Sequence, residues 1–135
     1  MKVRFNVEPT PASRPRISRW STYYGKNHQK FVEAMKIATA NSNVAPYESE
    51  IKACVNFFVP MPRTWSKKKK LEHMGKYANN HKDIDNYCKL LFDCLNGIYY
   101  KDDKQIVGLA TNKYWSDTGY IDVHLTDDLE HKFEV

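Results

Sequence analysis

Two pairs of aspartates, Asp83/Asp85 and Asp102/Asp103, together with Lys89, lie within residues 83–107 of a basic chain and have the types and spacing to do chemistry. Asp83 and Asp85 stand one residue apart at the entry to a helical pattern, with Lys89 one turn further on. The pattern stops at Asn96-Gly97, and a second acidic pair, Asp102-Asp103, precedes a strand-like run. Hard divalent cations take oxygen ligands and keep several waters, so two or three carboxylates suffice to hold Mg²⁺. Asp83 and Asp85 straddle a helix entry and can aim at one point. Asp93 lies two turns on, ~12 Å from Asp85 along the axis, which makes it a poor co-ligand. Asp103 is better placed, since the residues after Gly97 can retrace about 20 Å if extended. A metal held there lowers the pKa of a bound water and offsets charge on a phosphate. Lys89 would reach the same phosphate or the attacking water. That chemistry is metal-dependent phosphodiester hydrolysis.

A plainer explanation covers part of the same pattern. Asp83 or Asp85 can cap the helix, Gly97 suits its end, and Asp85–Lys89 is an i,i+4 pair contributing a few tenths of a kcal/mol. It leaves Asp83 as a second acid at the entry, and Asp102 and Asp103, unexplained. Two other metal sites are excluded. The DIDN start of a calcium loop lacks its glycine, Cys88 standing there, and its closing glutamate. His81 has no second histidine at zinc-ligand spacing.

The elements that must position these residues follow from periodicity. Val3, Phe5 and Val7 alternate with polar residues and predict a first strand. Pro9, Pro11 and Pro15 predict an irregular loop, which carries Arg14, Arg16, Arg19, Trp20, Tyr23 and Tyr24. Arginine beside aromatics suits phosphate contact and base stacking, although a loop covering the core edge would look similar. Phe31, Ala34, Met35 and Ala38 predict a helix over 27–40. Ile51, Ala53, Val55, Phe57 and Val59 predict the clearest strand. Ser66 can cap a short helix bearing Lys67, Lys68, Lys69 and Lys70, a run suited to DNA phosphates or simply to solvent. Gly75 and Asn79-Asn80 predict a mobile connector into the acidic stretch. Ile84, Cys88, Leu91 and Leu95 form the buried stripe of a helix over 85–96. Strands over 105–115 and 120–126, joined by Ser116-Asp117-Thr118-Gly119, predict a hairpin. The tail from Asp127 reads as frayed. The order β-α-β-(short α)-α-β-β predicts an α+β fold, a single mixed β-sheet with helices packed on it.

Composition narrows the rest. A chain of 135 residues is one domain, 1–135, by size. The net charge of +5 favours a polyanionic partner. No apolar run of membrane-spanning length and no signal-peptide core are present, which points to a cytoplasmic protein with no membrane role. Cys54, Cys88 and Cys94 read as small buried hydrophobes. Cys88 and Cys94 would lie about 9 Å apart on one helix, too far for a disulfide.

Taken jointly, Asp83-Ile84-Asp85-Asn86-x-x-Lys89, Asp93-x-Leu95 and Asp102-Asp103-x-Gln105-Ile106 resemble the signature of the RusA family of Holliday junction resolvases. The likeness covers residues 83–107, and its one departure is a slightly shorter connector between Asp93 and Asp102. Before that segment only the layout matches. The resemblance implies a small homodimeric endodeoxyribonuclease, often phage-encoded, that uses Mg²⁺ (Mn²⁺ can substitute) to cut paired strands of branched DNA, the four-way junction, in recombination and repair. It implies Asp83, Asp85 and Asp103 as the catalytic, metal-binding acids and Lys89 as the catalytic lysine. Asn86 is grouped with Arg14, Arg16, Arg19 and the lysines at 67–70 as DNA-binding. The alternatives are a branched-DNA-binding protein that has lost catalysis and a nuclease preferring other branched DNA.

Overall fold

The computed structural model describes residues 1–134. The strand at 51–60, β4 as labelled in chain order, is the centre of the molecule. Its alternate residues Ile51, Ala53, Val55, Phe57 and Val59 are buried. Full burial of each larger side chain contributes about 1.5–3 kcal/mol, so this strand takes the middle of the sheet. The elements are β1 (Lys2–Phe5), β2 (Arg16–Ile17), β3 (Thr22–Tyr23), α1 (Lys26–Thr39), β4 (Ile51–Pro60), α2 (Lys67–His73), α3 (Ile84–Leu95), β5 (Ile106–Ser116) and β6 (Tyr120–Thr126). Four strands form one mixed sheet in the order β1-β6-β4-β5, and β2-β3 is a separate ribbon. The fold is α+β, as expected.

α1 buries Phe31 and Met35, and α3 buries Tyr87, Cys88, Leu90, Leu91, Phe92 and Leu95, in one core against β4 and β6. Ser66 caps α2 by accepting a hydrogen bond from the Lys69 amide at 3.2 Å. A second, small core of Val59, Met61, Ala78 and Trp115, with Trp65 packed on it, anchors α2.

Four expectations are corrected. The last two strands are not a hairpin, because β4 lies between them. It pairs parallel with β5 and antiparallel with β6. The connector can step over the end of β4 because four residue steps reach ~13 Å, while two strand spacings need only ~9.5 Å. A Cβ on Gly119 would stand 2.9 Å from the Glu8 Cα, so this crossing requires glycine. The segment before α3 is not a loose connector. The amides of Gly75 and Ala78 donate to the Trp115 and Lys113 carbonyls, and the Trp115 amide donates to Lys76, so it covers the far end of β5. The proline-rich loop contains the β2-β3 ribbon, too short to show a period. The tail is not frayed over the described residues. Lys52 Nζ donates to the His131 carbonyl at 2.6 Å, and His131 and Phe133 pack edge-on against His124. The remaining residue, Val135, lies outside the described residues.

Candidate active site

α3 presents the acidic residues along its length. Its entry is held from two sides. The Ala12 amide donates to the Asn86 carbonyl at 2.9 Å, tying the proline-rich loop to the first turn. Lys113 Nζ donates to Asn80 Oδ1 and to the Lys82 carbonyl, and Asn80 Nδ2 donates to the Tyr87 hydroxyl. Between those anchors His81 has φ of 61°, a left-handed conformation uncommon for a residue with a side chain. The chain therefore turns sharply just before Asp83.

Asp83 occupies the N-cap position, but its side chain makes no cap hydrogen bond. Asp85 Oδ1 accepts from the Asn86 amide at 3.0 Å. Both carboxylates are exposed, and neither forms an ion pair among the described residues. The expected Asp85–Lys89 pair gives way to Lys89–Asp93, at 3.7 Å. Asn86 is half-buried at the same turn.

The opposite end of α3 is built differently. Gly97, at φ of 80°, ends the helix, and its amide donates to the Tyr100 carbonyl. The buried Tyr100 hydroxyl donates back to the Phe92 carbonyl at 2.8 Å. A single 3₁₀ turn, Asp103–Gln105, follows. Asp102 caps it by accepting from the Lys104 amide at 2.9 Å. Gln105 Oε1 accepts from the Lys101 and Asp102 amides, while its Nε2 donates to the carbonyls of Tyr47 and Ser49. One side chain thus ties the acidic turn to itself and to the segment entering β4. The Asp-x-x-Gln spacing of a capping box was the sequence signal for this role.

Asp103 is half-buried there. Burial, then the Asp102 carboxyl and the Asp93 charge, raises its pKa, and Lys89 opposes the shift. Asp102 moves the other way, held low chiefly by the Lys104 amide. Asp93, set aside as a ligand on distance, therefore belongs electrically with Lys89 and Asp103. Among the described residues, no three His, Cys, Asp or Glu side chains form a group able to hold a metal ion. Asp83 and Asp85 sit at one end of a helix ~18 Å long, and Asp103 follows the loop at its other end. The exposed, unpaired carboxylates at the entry do suit a hard cation that retains its waters.

Two grooves flank the helix. One, with a volume of about 1230 Å³, runs from Arg16 along Lys26 and Lys30 to Lys82 and Tyr87, the residues that bracket the first acidic pair in sequence. The other, about 530 Å³, is lined by Ser13, His28, Lys89 and Asp93 among others. His28 is a member of this neighbourhood that no sequence pattern indicated. Its Nδ1 accepts from the Ser13 amide at 3.1 Å, which leaves the proton of the neutral ring on Nε2. Its ring stacks on Tyr24, and burial lowers its pKa. Arg14, Arg16 and Arg19 are exposed and form no ion pair among the described residues. Of the lysine run, Lys67, Lys68 and Lys69 are exposed and Lys70 is half-buried. Lys69 Nζ lies 4.4 Å from the Trp65 ring centre.

A family model described as Endodeoxyribonuclease RusA matches residues 6–126. The chain belongs to the RusA family. The match takes in three of the four sheet strands, both long helices and every candidate acid, well beyond the short signature. The uncharacterized protein YqaN of Bacillus subtilis (strain 168) is 29% identical over 139 residues, covering 93% of this chain and 96% of that protein. It extends the likeness to nearly full length without naming an activity. No helix among the described residues of this RusA-family chain is long and apolar enough to cross a membrane.

Proposed function

We propose that this RusA-family protein is a Mg²⁺-dependent endodeoxyribonuclease that resolves Holliday junctions as a homodimer in the cytoplasm. The observation that carries the reading is the exposed, unpaired Asp83–Asp85 pair, one helical turn ahead of Lys89 and beside a basic groove. In this reading Asp83 and Asp85 hold the cation and Asp103 supplies a third carboxylate. The bound metal supplies charge on the scissile phosphate and an acidified water. Lys89 exchanges its exposed partner Asp93 for a phosphate oxygen, at little cost because such pairs contribute only ~0–1 kcal/mol. Arg14, Arg16, Arg19 and Asn86 hold the strands near α3, and the lysines at 67–70 take the flanking duplex.

One requirement of the proposed reaction and one feature of the chain support a dimer. Cutting two symmetric strands needs two sites related by a two-fold axis. Beyond its end covered by residues 75–78, β5 is an edge strand whose Val107 and Leu109 are 55% and 47% exposed. A second copy seated there can also bring its acidic turn toward the first pair, which one chain keeps at the far end of α3.

Purified protein is expected to nick a synthetic four-way junction at symmetric positions with Mg²⁺, and to stop when EDTA is added. Metal-independent junction binding without any cleavage would favour a binding protein instead. Faster cutting of flaps or forks would assign the same chemistry to other branched DNA.

A further inference from the structure

The β2-β3 ribbon stands apart from the sheet and has only two residue pairs, Arg16–Tyr23 and Ile17–Thr22. So short a hairpin is marginal on its own. Its turn is nevertheless tied. The Ser18 amide and hydroxyl both donate to the Ser21 carbonyl, at 2.8 and 3.0 Å, and Ser18 Oγ accepts from the amides of Trp20 and Ser21. The turn presents two large apolar side chains, Ile17 and Trp20, each 85% exposed. Arg19 lies over the Trp20 ring at 5.3 Å.

Charge identifies the occupant. Residues 9–32 contain five Lys or Arg and no Asp or Glu. An apolar protein surface would satisfy Ile17 and Trp20 but leave those cations unmatched. A polyanion with flat, stackable faces satisfies both, and that describes nucleobases on a phosphate backbone. Continuous duplex hides its base faces in the stack, whereas a branch point interrupts it. Apolar wedges are known to enter DNA at unstacked steps. Arg16, at the base of the ribbon, also lines the groove that reaches Lys82 and Tyr87 beside Asp83 and Asp85.

We propose that the Ile17–Trp20 tip inserts at the centre of branched DNA, with Trp20 stacked on an exposed base and the neighbouring arginines on flanking phosphates. The tip is then the element that distinguishes branched DNA from duplex. This inference rests on the nuclease reading above and deepens it.

The test compares wild type, Trp20→Ala and Trp20→Phe in metal-free buffer. The probe is a four-way junction carrying 2-aminopurine at the branch point, with the same label in continuous duplex as control. Wild type is expected to change the junction fluorescence. Trp20→Ala should lose most of that change and bind the junction roughly 5- to 150-fold more weakly, with duplex affinity altered by no more than about two-fold. Trp20→Phe should recover most of both. The ribbon lies outside both cores, so an unchanged melting temperature verifies the fold. Unchanged junction affinity in Trp20→Ala, or an equal loss on duplex, overturns the proposal. So does a shift to lower mass in sedimentation, which would make the tip a contact between copies. If wild type itself neither prefers branched DNA nor cuts it with Mg²⁺, the nuclease reading fails. If it does both and Trp20 is indifferent, only the wedge fails.

Discussion

The two ends of α3 carry the same functional group in opposite settings. At the entry, Asp83 and Asp85 are exposed, form no ion pair among the described residues, and follow a sharp left-handed turn at His81. At the exit, Asp102 and Asp103 sit in a turn held by the four hydrogen bonds of Gln105 and by the buried Tyr100. Burial first, and then the neighbouring Asp102 and Asp93 carboxylates, raise the pKa of Asp103 there. The first pair is free to accept a cation. The second is fixed in place.

Substitutions at the two ends should therefore fail in different ways. The largest effect is expected from Asp85→Asn, which removes one of the two charges proposed to hold the metal without touching the core. Cleavage should fall on the order of 10³-fold with junction binding and melting temperature retained. Measurable wild-type turnover would sink the assignment of Asp85. Gln105→Ala should act on structure first, with about 1–3 kcal/mol of stability lost with its hydrogen bonds. Denaturant unfolding would show this, and an unaltered midpoint would mean that the acidic turn holds without it.

Asp103→Asn is a smaller, pH-dependent test. A folded-state pKa above the ordinary value means that protonated Asp103 favours the fold. That contribution is present at low pH and is lost as pH rises from about 3.8 through the higher folded-state value. The metal-free Asn variant should therefore melt above wild type at pH 7, and the gap should close on acidification. A lower melting point at pH 7 would contradict the strain at the exit. Asp93→Asn should have the least effect, about 0–1 kcal/mol in a melt, because its pair with Lys89 is exposed. A larger loss would show the pair to be structural.

Residues that report their surroundings through period were legible from sequence. The alternation at Ile51, Ala53, Val55, Phe57 and Val59 located the central strand, and the stripe through Cys88, Leu91 and Leu95 located the helix that carries the acids. Ser66 announced a cap that forms. The hairpin expected at Ser116-Asp117-Thr118-Gly119 shows where such reasoning stops. A turn signal reports that the chain reverses, not which strand fills the space between its arms. His28 was invisible for a similar reason, since a lone histidine has no period and acquires a role only beside Lys89 and Asp93.

The sequence by itself determined the residue chemistry, the order of the longer elements and the family signature, because these depend on side-chain type and on spacing along one chain. Only the tertiary structure decided that β4 separates the last two strands, that Gln105 ties the acidic turn to the segment entering β4, and that Ile17 and Trp20 project on a ribbon. Each of these depends on contacts between segments distant in sequence or on which side of an element is left open, and spacing along the chain encodes neither.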